Sequence, residues 1–321
     1  MKRRRLRIAT RGSRLARWQA ERVGARLRGD LEYVLVQTTG DADQRSELHR
    51  IGGQGVFVRE VQQAVLEGRA DLAVHSAKDL PAVTARGLAL VAIPERADAR
   101  DALVGVGLEA LPTGARVGTG SVRRRAQLAH LRPDLIFGPL RGNIETRLHK
   151  RHEEGFDAVV VAYAALERLG LLDPGVEPLH PDVMLPQVAQ GALAVECATD
   201  DHATRDRLAA IDDRIAHRAV AAERAFLAEL GGGCNLPCGA YATISGTTVT
   251  LDALLASLDG HVVLRACVVG DDPIDTGVGA AHELLDDKGG RDLMALEELA
   301  LDGTGLEGSG LEGSGLEGSG T

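Results

Sequence analysis

The chain has 321 residues, 44% of them hydrophobic and 26% charged, with a formal net charge of −9: an ordinary globular composition with room for two or three domains. Aromatics at 2% argue against nucleic-acid recognition by base stacking, and four irregularly spaced cysteines form no disulfide framework. No apolar run approaches the roughly 20 residues that cross a bilayer, so a membrane is not an expected partner.

The basic opening Met1–Arg7 passes straight into Ile8-Ala9-Thr10-Arg11-Gly12-Ser13 without the apolar stretch of a signal peptide, which makes the cytoplasm the expected location. Leu6–Ala9 reads as a short strand and Thr10–Ser13 as a turn. Ser13 is then placed to cap a helix over Arg14–Leu27, where Leu15, Trp18, Ala20, Val23 and Leu27 fall near helical spacing. Tyr33–Gln37 is the next strand. Gly52-Gly53-Gln54-Gly55 opens a helix through Phe57, Val61, Val65 and Leu66, and Asp71–Val74 is a buried strand leading into His75-Ser76-Ala77-Lys78-Asp79-Leu80-Pro81. Alternating strands and helices predict an α/β domain with a mainly parallel sheet.

The pattern then repeats. Arg116–Gly118 ends a strand, Thr119-Gly120-Ser121 forms a turn and Val122–Leu131 a helix, as Thr10–Ser13 precedes its own helix. Ala158–Ala162 echoes Leu72–Val74. The reading is two α/β lobes with hinges near Pro94–Asp98 and Leu185–Gln190, arranged like a periplasmic binding protein around a cleft. A helical stretch over Ala209–Leu230 leads to Gly231-Gly232-Gly233-Cys234-Asn235-Leu236-Pro237-Cys238-Gly239. Strands at Tyr241–Ile244, Thr248–Leu255 and Val262–Val269 and a helix over Thr276–Leu285 follow as a small α+β domain. The expected domains are residues 1–95 with 191–210, residues 98–187 and residues 214–300. Residues 302–321 repeat Leu-Glu-Gly-Ser-Gly, a flexible linker composition outside the fold.

Charge is divided unevenly. Residues 1–150 hold 27 Lys+Arg against 16 Asp+Glu, a balance of +11, whereas residues 151–321 hold 10 against 30, a balance of −20. The arginines sit at element junctions instead of along one stripe, which suits small anions better than nucleic acid. Arg11 with Ser13, Arg123 and Arg124 after Ser121, and Arg141 and Arg147 all stand at helix starts. Cations there oppose the helix dipole, so either they are solvated surface residues or an anion compensates them.

His75–Pro81 is a second cluster at a strand end. Asp79 either caps a turn or, ionised in a dry cleft, holds an N–H donor and stabilises a developing cation; His75 fits a core position better than catalysis. The glycine loop leaves two readings open for Cys234, an incidental residue of a turn or an accessible nucleophile. Cys234 and Cys238 form C-x₃-C without the further ligands zinc needs, so no metal is expected, and the spacing is not the C-x-x-C of redox proteins.

Together these segments resemble the porphobilinogen deaminase (hydroxymethylbilane synthase) family over roughly residues 5–300. The resemblance runs through Ile8-Ala9-Thr10-Arg11, Gly52-Gly53-x-Gly55, His75-Ser76-x-Lys78-Asp79-x-Pro81 and Gly118-Thr119-Gly120-Ser121-Val122-Arg123-Arg124. It continues in Leu140-Arg141-Gly142-Asn143-x-x-Thr146-Arg147-Leu148, Gln190-Gly191-Ala192, Glu196-Cys197 and Gly232-Gly233-Cys234-x-x-Pro237-x-Gly239. It implies a transferase of tetrapyrrole biosynthesis that joins four porphobilinogen molecules head to tail on a dipyrromethane cofactor, itself linked as a thioether to Cys234. Each porphobilinogen loses ammonia to give an azafulvene-like cation, and hydrolysis finally releases hydroxymethylbilane.

By position, the resemblance makes Asp79 the catalytic residue, and Cys234, Lys78, Asp79, Ser121, Arg123, Arg124 and Gly191 the cofactor-binding set. Arg11, Ser13, Arg141, Arg147, Arg168 and Gln190 become substrate-binding residues. It also implies a monomer. The chain departs from the family pattern at Gln54, Arg59, Ala189, which stands where glycine is frequent, and Cys238. A non-catalytic anion-binding protein on the same two lobes explains the arginines but not the cysteine loop, and a nucleic-acid binder explains only the basic half.

Overall fold

In a computed structural model that describes residues 5–38, 58–231 and 236–303, the chain opens on strand β1 (Leu6–Arg11). Helix α1 (Arg14–Leu27) and strand β2 (Leu31–Val36) follow, and β2 pairs in parallel with β1 as far as Arg11↔Val36. Thr10 and Arg11 are therefore strand residues and not turn: the ladder carries β1 two residues further than its apolar run. The Gly52–Gly55 segment and Phe57 lie outside the described residues, and the helix described after them is α2 (Arg59–Leu66), with Val58 as its N-cap. Strand β3 (Leu72–Ser76) takes in His75 and Ser76, and a single 3₁₀ turn, Ala77–Asp79, follows it.

After β4 (Leu88–Ala92) the chain crosses through residues 93–100 into the second lobe. That lobe comprises β5 (Asp101–Gly105), β6 (Arg116–Gly118), α3 (Val122–Leu131), β7 (Ile136–Gly138), α4 (Ile144–Glu153), β8 (Ala158–Ala162), α5 (Tyr163–Leu169) and β9 (Val176–Pro178). A second crossing, residues 185–192, returns the chain to β10 (Leu193–Ala198) and α6 (His202–Ala209). The two sheets have matching orders, β2-β1-β3-β10-β4 and β7-β6-β8-β5-β9. In each, the one antiparallel strand is the strand entered from a crossing: β10 runs against β3 and β4, β5 against β8 and β9. The fold is thus two periplasmic-binding-protein-like α/β lobes, as expected, with each sheet closed by a strand from the return path. Every residue of β8, Ala-Val-Val-Val-Ala, is buried, as a central strand covered on both faces requires.

The helical stretch expected over Ala209–Leu230 is one helix, α7 (Arg214–Glu229); Ala209 is the last residue of α6 and a short turn separates the two. Asp213 caps α7, its side chain accepting from the N–H groups of Ile215 and Ala216 at 2.9 Å. Asp212 accepts from Ile93 N at 2.8 Å, so the start of α7 is tied to the first crossing. The third domain is the antiparallel meander β11 (Cys238–Ser245), β12 (Thr248–Ala256) and β13 (Val263–Gly270), with α7 and α8 (Pro273–His282). Helix α8 starts earlier than its apolar spacing suggests because Asp272 caps it and Pro273 takes the first turn. Gly277 lets it approach α7, since a Cβ there would lie 2.3 Å from the Ala222 carbonyl oxygen. Helix α9 (Gly290–Gly303) closes the described chain. One hydrophobic core joins this domain to Ala77 and Leu80 of the first lobe, to Ile93 of the first crossing and to Val188 and Ala189 of the second. Cys238, unassigned from the sequence, is 7% exposed in that core.

Candidate active site

The first lobe contributes the turn after β3. Its backbone is fixed by Ala77 N donating to Ala192 O at 3.0 Å, and its side chains by the second crossing: Lys78 Nζ donates to Gln190 Oε1 at 3.2 Å, and Gln187 Nε2 to Lys78 O at 3.3 Å. Lys78 and Asp79 are half-buried. His75 is buried behind them, 3.2 Å from Glu196, which also accepts from Gln62 Nε2 at 2.8 Å; it is a core histidine, as expected.

The second lobe contributes helix starts. Ser121 caps α3, and the next turn holds Arg123 and Arg124, 3% and 5% exposed. Arg124 donates from Nε to Asp101 Oδ1 at 3.0 Å and from Nη1 to Val160 O at 2.9 Å. Arg123 donates from Nη1 to Leu185 O at 2.6 Å and lies 2.7 Å from Asp101 Oδ2. Burial works against the Asp101 carboxylate, yet Arg123 and Arg124 outweigh it and hold its pKa well below the ordinary range. Gln190 joins the two lobes: fully buried, it accepts from Lys78 and donates from Nε2 to Ala99 O at 2.8 Å and Asp101 Oδ1 at 2.9 Å.

Asn143 caps α4, and Arg147, in its first turn, donates from Nε to Gly142 O at 2.8 Å. Burial, then the neighbouring charges of Arg124 and Arg141, lowers the Arg147 pKa to about 10, with Asp79 opposing. Burial and Arg124 likewise lower Lys78 to about 8, against Asp79 and Asp101. Cations of both lobes therefore share one field around Asp79 and repel one another.

The crossings are stitched together behind this cluster. Gly191 has φ +85°, and a Cβ there would stand 2.5 Å from Ala97 O, so the crossings meet where only glycine fits. Arg168 Nη2 donates to Gly191 O at 2.6 Å, and its guanidinium lies over the Trp18 ring at 5.8 Å. Ala189 is left-handed at φ +60°, which explains the frequent glycine of the family pattern there. Its N–H donates to Glu223 Oε2 at 2.6 Å. Glu223, from α7, also receives Arg96 Nη1 at 2.6 Å and Ala242 N at 2.9 Å. One buried carboxylate thus ties both crossings to the third domain.

Of the other sequence candidates, Arg11 ends β1 half-buried, Arg141 is half-buried before α4, and the Ser13 hydroxyl accepts from Ala16 N at 3.3 Å as the cap of α1. Cys234 lies outside the described residues. The segments on either side of it are placed: Leu230 is buried, and beyond the loop Ala240 N donates to Pro186 O at 3.1 Å while Gly239 packs on Leu185, Pro186 and the Arg123 side chain. Sequence reasoning missed Asp101 and Glu223; each binds partners remote in the chain and stands in no local motif.

Residues 6–206 match the family model described as porphobilinogen deaminase, dipyromethane cofactor binding domain, and residues 217–286 match its C-terminal domain. The chain belongs to the porphobilinogen deaminase family. Curated porphobilinogen deaminases of this family include that of Roseiflexus sp. (strain RS-1), 46% identical over 298 residues, 90% of this chain and 98% of that protein. Those of Syntrophus aciditrophicus (43%, covering 90% and 97%) and Acidothermus cellulolyticus (47%, covering 87% and 88%) are similar. A periplasmic binding protein of Salmonella typhimurium is 12% identical over 67% of this chain and 94% of its own, with a TM-score of 0.37, too distant to add to the topology above.

The residues present fit a dipyrromethane. Each ring of that group carries an acetate and a propionate, and the site has the complementary deficit: Lys78 and Arg147 are depressed by burial and by other cations. Arg123 Nε and Nη2 are buried without hydrogen-bond partners among the described residues.

Proposed function

We propose that the chain is a hydroxymethylbilane synthase that deaminates four porphobilinogen molecules, joins them head to tail and releases the product with water. The observation that carries this reading is that Lys78 of one lobe and Arg147 of the other both stand in the field of the half-buried Asp79 carboxylate, with the charges of Arg124 and Arg141 beside Arg147. When bound, the dipyrromethane supplies the free pyrrole α-carbon to which substrate units are joined. The side chains of Lys78, Arg11, Arg141, Arg147 and Arg168, with Ser13 and Ser121 at their caps, bind and orient substrate carboxylates. Arg123, Arg124, Gln190 and Gly191 fix the crossing against which that cation set is held.

Asp79 does the chemistry on the protein's side. Its carboxylate accepts the pyrrole N–H of the arriving ring, which aligns the aminomethyl carbon, and its negative charge stabilises the cation left as the C–N bond breaks and ammonia departs. Once the new C–C bond forms, the same oxygens take up the proton lost from the α-carbon.

Cys234 is the attachment point in this reading. Of the other cysteines, Cys197 and Cys238 are buried, and burial pushes the Cys197 thiol up to about 11. Cys267, on β13, has its thiol pKa raised by its contact with Asp252. The chain just after the loop that holds Cys234 is anchored beside Leu185 and Arg123, through Gly239 and Ala240. No helix among the described residues is long and apolar enough to cross a membrane. We take the protein as a cytoplasmic monomer, the state its family resemblance suggests. Intact-mass spectrometry tests the reading: the wild type carries an adduct of dipyrromethane mass that Cys234→Ala lacks. An unmodified wild type that still converts porphobilinogen overturns the tether.

A further inference from the structure

One face of α1 meets the second lobe. Arg14 and Trp18 are four residues apart, hence neighbours on that face. Trp18 lies under Arg168 of α5 at 5.8 Å, and Arg14 Nη1 donates to Glu145 Oε1 of α4 at 2.5 Å. The second contact joins two helix starts that carry the anion-binding turns of opposite lobes: Arg11-Gly12-Ser13 precedes α1, and Arg141-Gly142-Asn143 precedes α4. Helix α1 has no acidic residue in its first turn, and among the described residues the carboxylate paired with Arg14 is that of Glu145. Glu145 suits its own helix start, and two residues on, Arg147 faces the field of Asp79.

We propose that Arg14 and Glu145 form a latch between the lobes, and that Glu145 occupies the place a carboxylate of the incoming pyrrole takes against Arg14. Substrate entry and latch opening are then one exchange of carboxylates. The pair is 62% and 42% exposed, a solvated bond weak enough to be traded at every round of elongation. This inference rests on the functional reading above, because it needs a substrate rich in carboxylates.

Steady-state kinetics with porphobilinogen on Glu145→Gln and Arg14→Gln test it. A pair that merely holds the lobes together predicts the same shift in both variants, since each breaks it. The exchange predicts opposite shifts: Glu145→Gln removes the internal competitor and lowers KM by about two- to fivefold, while Arg14→Gln removes the cation and raises KM by about as much. Both shifts should be damped by added salt. Shifts of the same sign, or none, overturn the exchange. Small-angle scattering separates the two layers of the proposal: loss of the latch widens both variants relative to the wild type. If the wild type consumes no porphobilinogen, the functional reading fails, and the latch then stands or falls on scattering alone, overturned by three identical profiles.

Discussion

Asp79 and Asp101 are two carboxylates among the same cations, and they are used in opposite ways. Asp101 is fully buried and receives Arg124, Arg123 and Gln190. Asp79, on the facing lobe, is half-buried, and among the described residues no hydrogen bond engages its side chain. The first is a fixed part of the scaffold: it aligns the start of α3 with the second crossing and, through Gln190, with Lys78. The second is left open to a ligand. A cleft that handles polyanions thus needs one acid to hold its arginines and another to meet the substrate, and burial distinguishes them.

The sharpest break of that contrast is Asp101→Asn. It leaves two buried guanidinium groups without their counter-charge, and removing one partner of such a cluster costs about 3–5 kcal/mol. Urea unfolding should show that loss as a lower midpoint. A midpoint near that of the wild type would mean that Asp101 does not hold the arginines.

A smaller effect separates the two acids by pH. Lys78 sits between them with its pKa lowered from 10.5 to about 8 by burial and by Arg124. As pH rises through about 8 its charge is lost, so KM for porphobilinogen should climb several-fold toward pH 9, and Lys78→Arg should abolish that step. Stability should move the other way. The unfolded lysine keeps its proton to near 10.5, so between about 8 and 10.5 the unfolded state binds more protons and folding is favoured as pH rises. A KM that is flat across that interval would remove Lys78 from carboxylate binding.

Much of this was legible in the sequence wherever the signal was local. Helix α3 spans Val122–Leu131 directly after the Thr119-Gly120-Ser121 turn, and the strand of five apolar residues at Ala158–Ala162 is where it was expected. The turn after β3, with Lys78 and Asp79 in it, was also placed. What escaped depends on distant partners. Arg124 and Asp101 are 23 residues apart, Gln190 and Asp101 are 89, and Arg96 and Glu223 are 127. No periodicity announces such pairs. The same holds for β10, an antiparallel strand inserted from the return crossing between two parallel neighbours. Arg123 shows the limit of motif reading. Its place after a helix cap marks an anion site, and the structure turns Nη1 onto Asp101 and Leu185 while Nε and Nη2 stay buried without partners among the described residues.

Turnover per folded molecule of Asp79→Asn tests most directly the division of labour between the two acids. The substitution is nearly isosteric and removes no scaffold bond, so the variant should unfold at the wild-type urea midpoint while kcat falls by about a hundredfold or more. A variant that folds as the wild type and turns over at a similar rate would contradict the assignment of Asp79 as the reacting carboxylate.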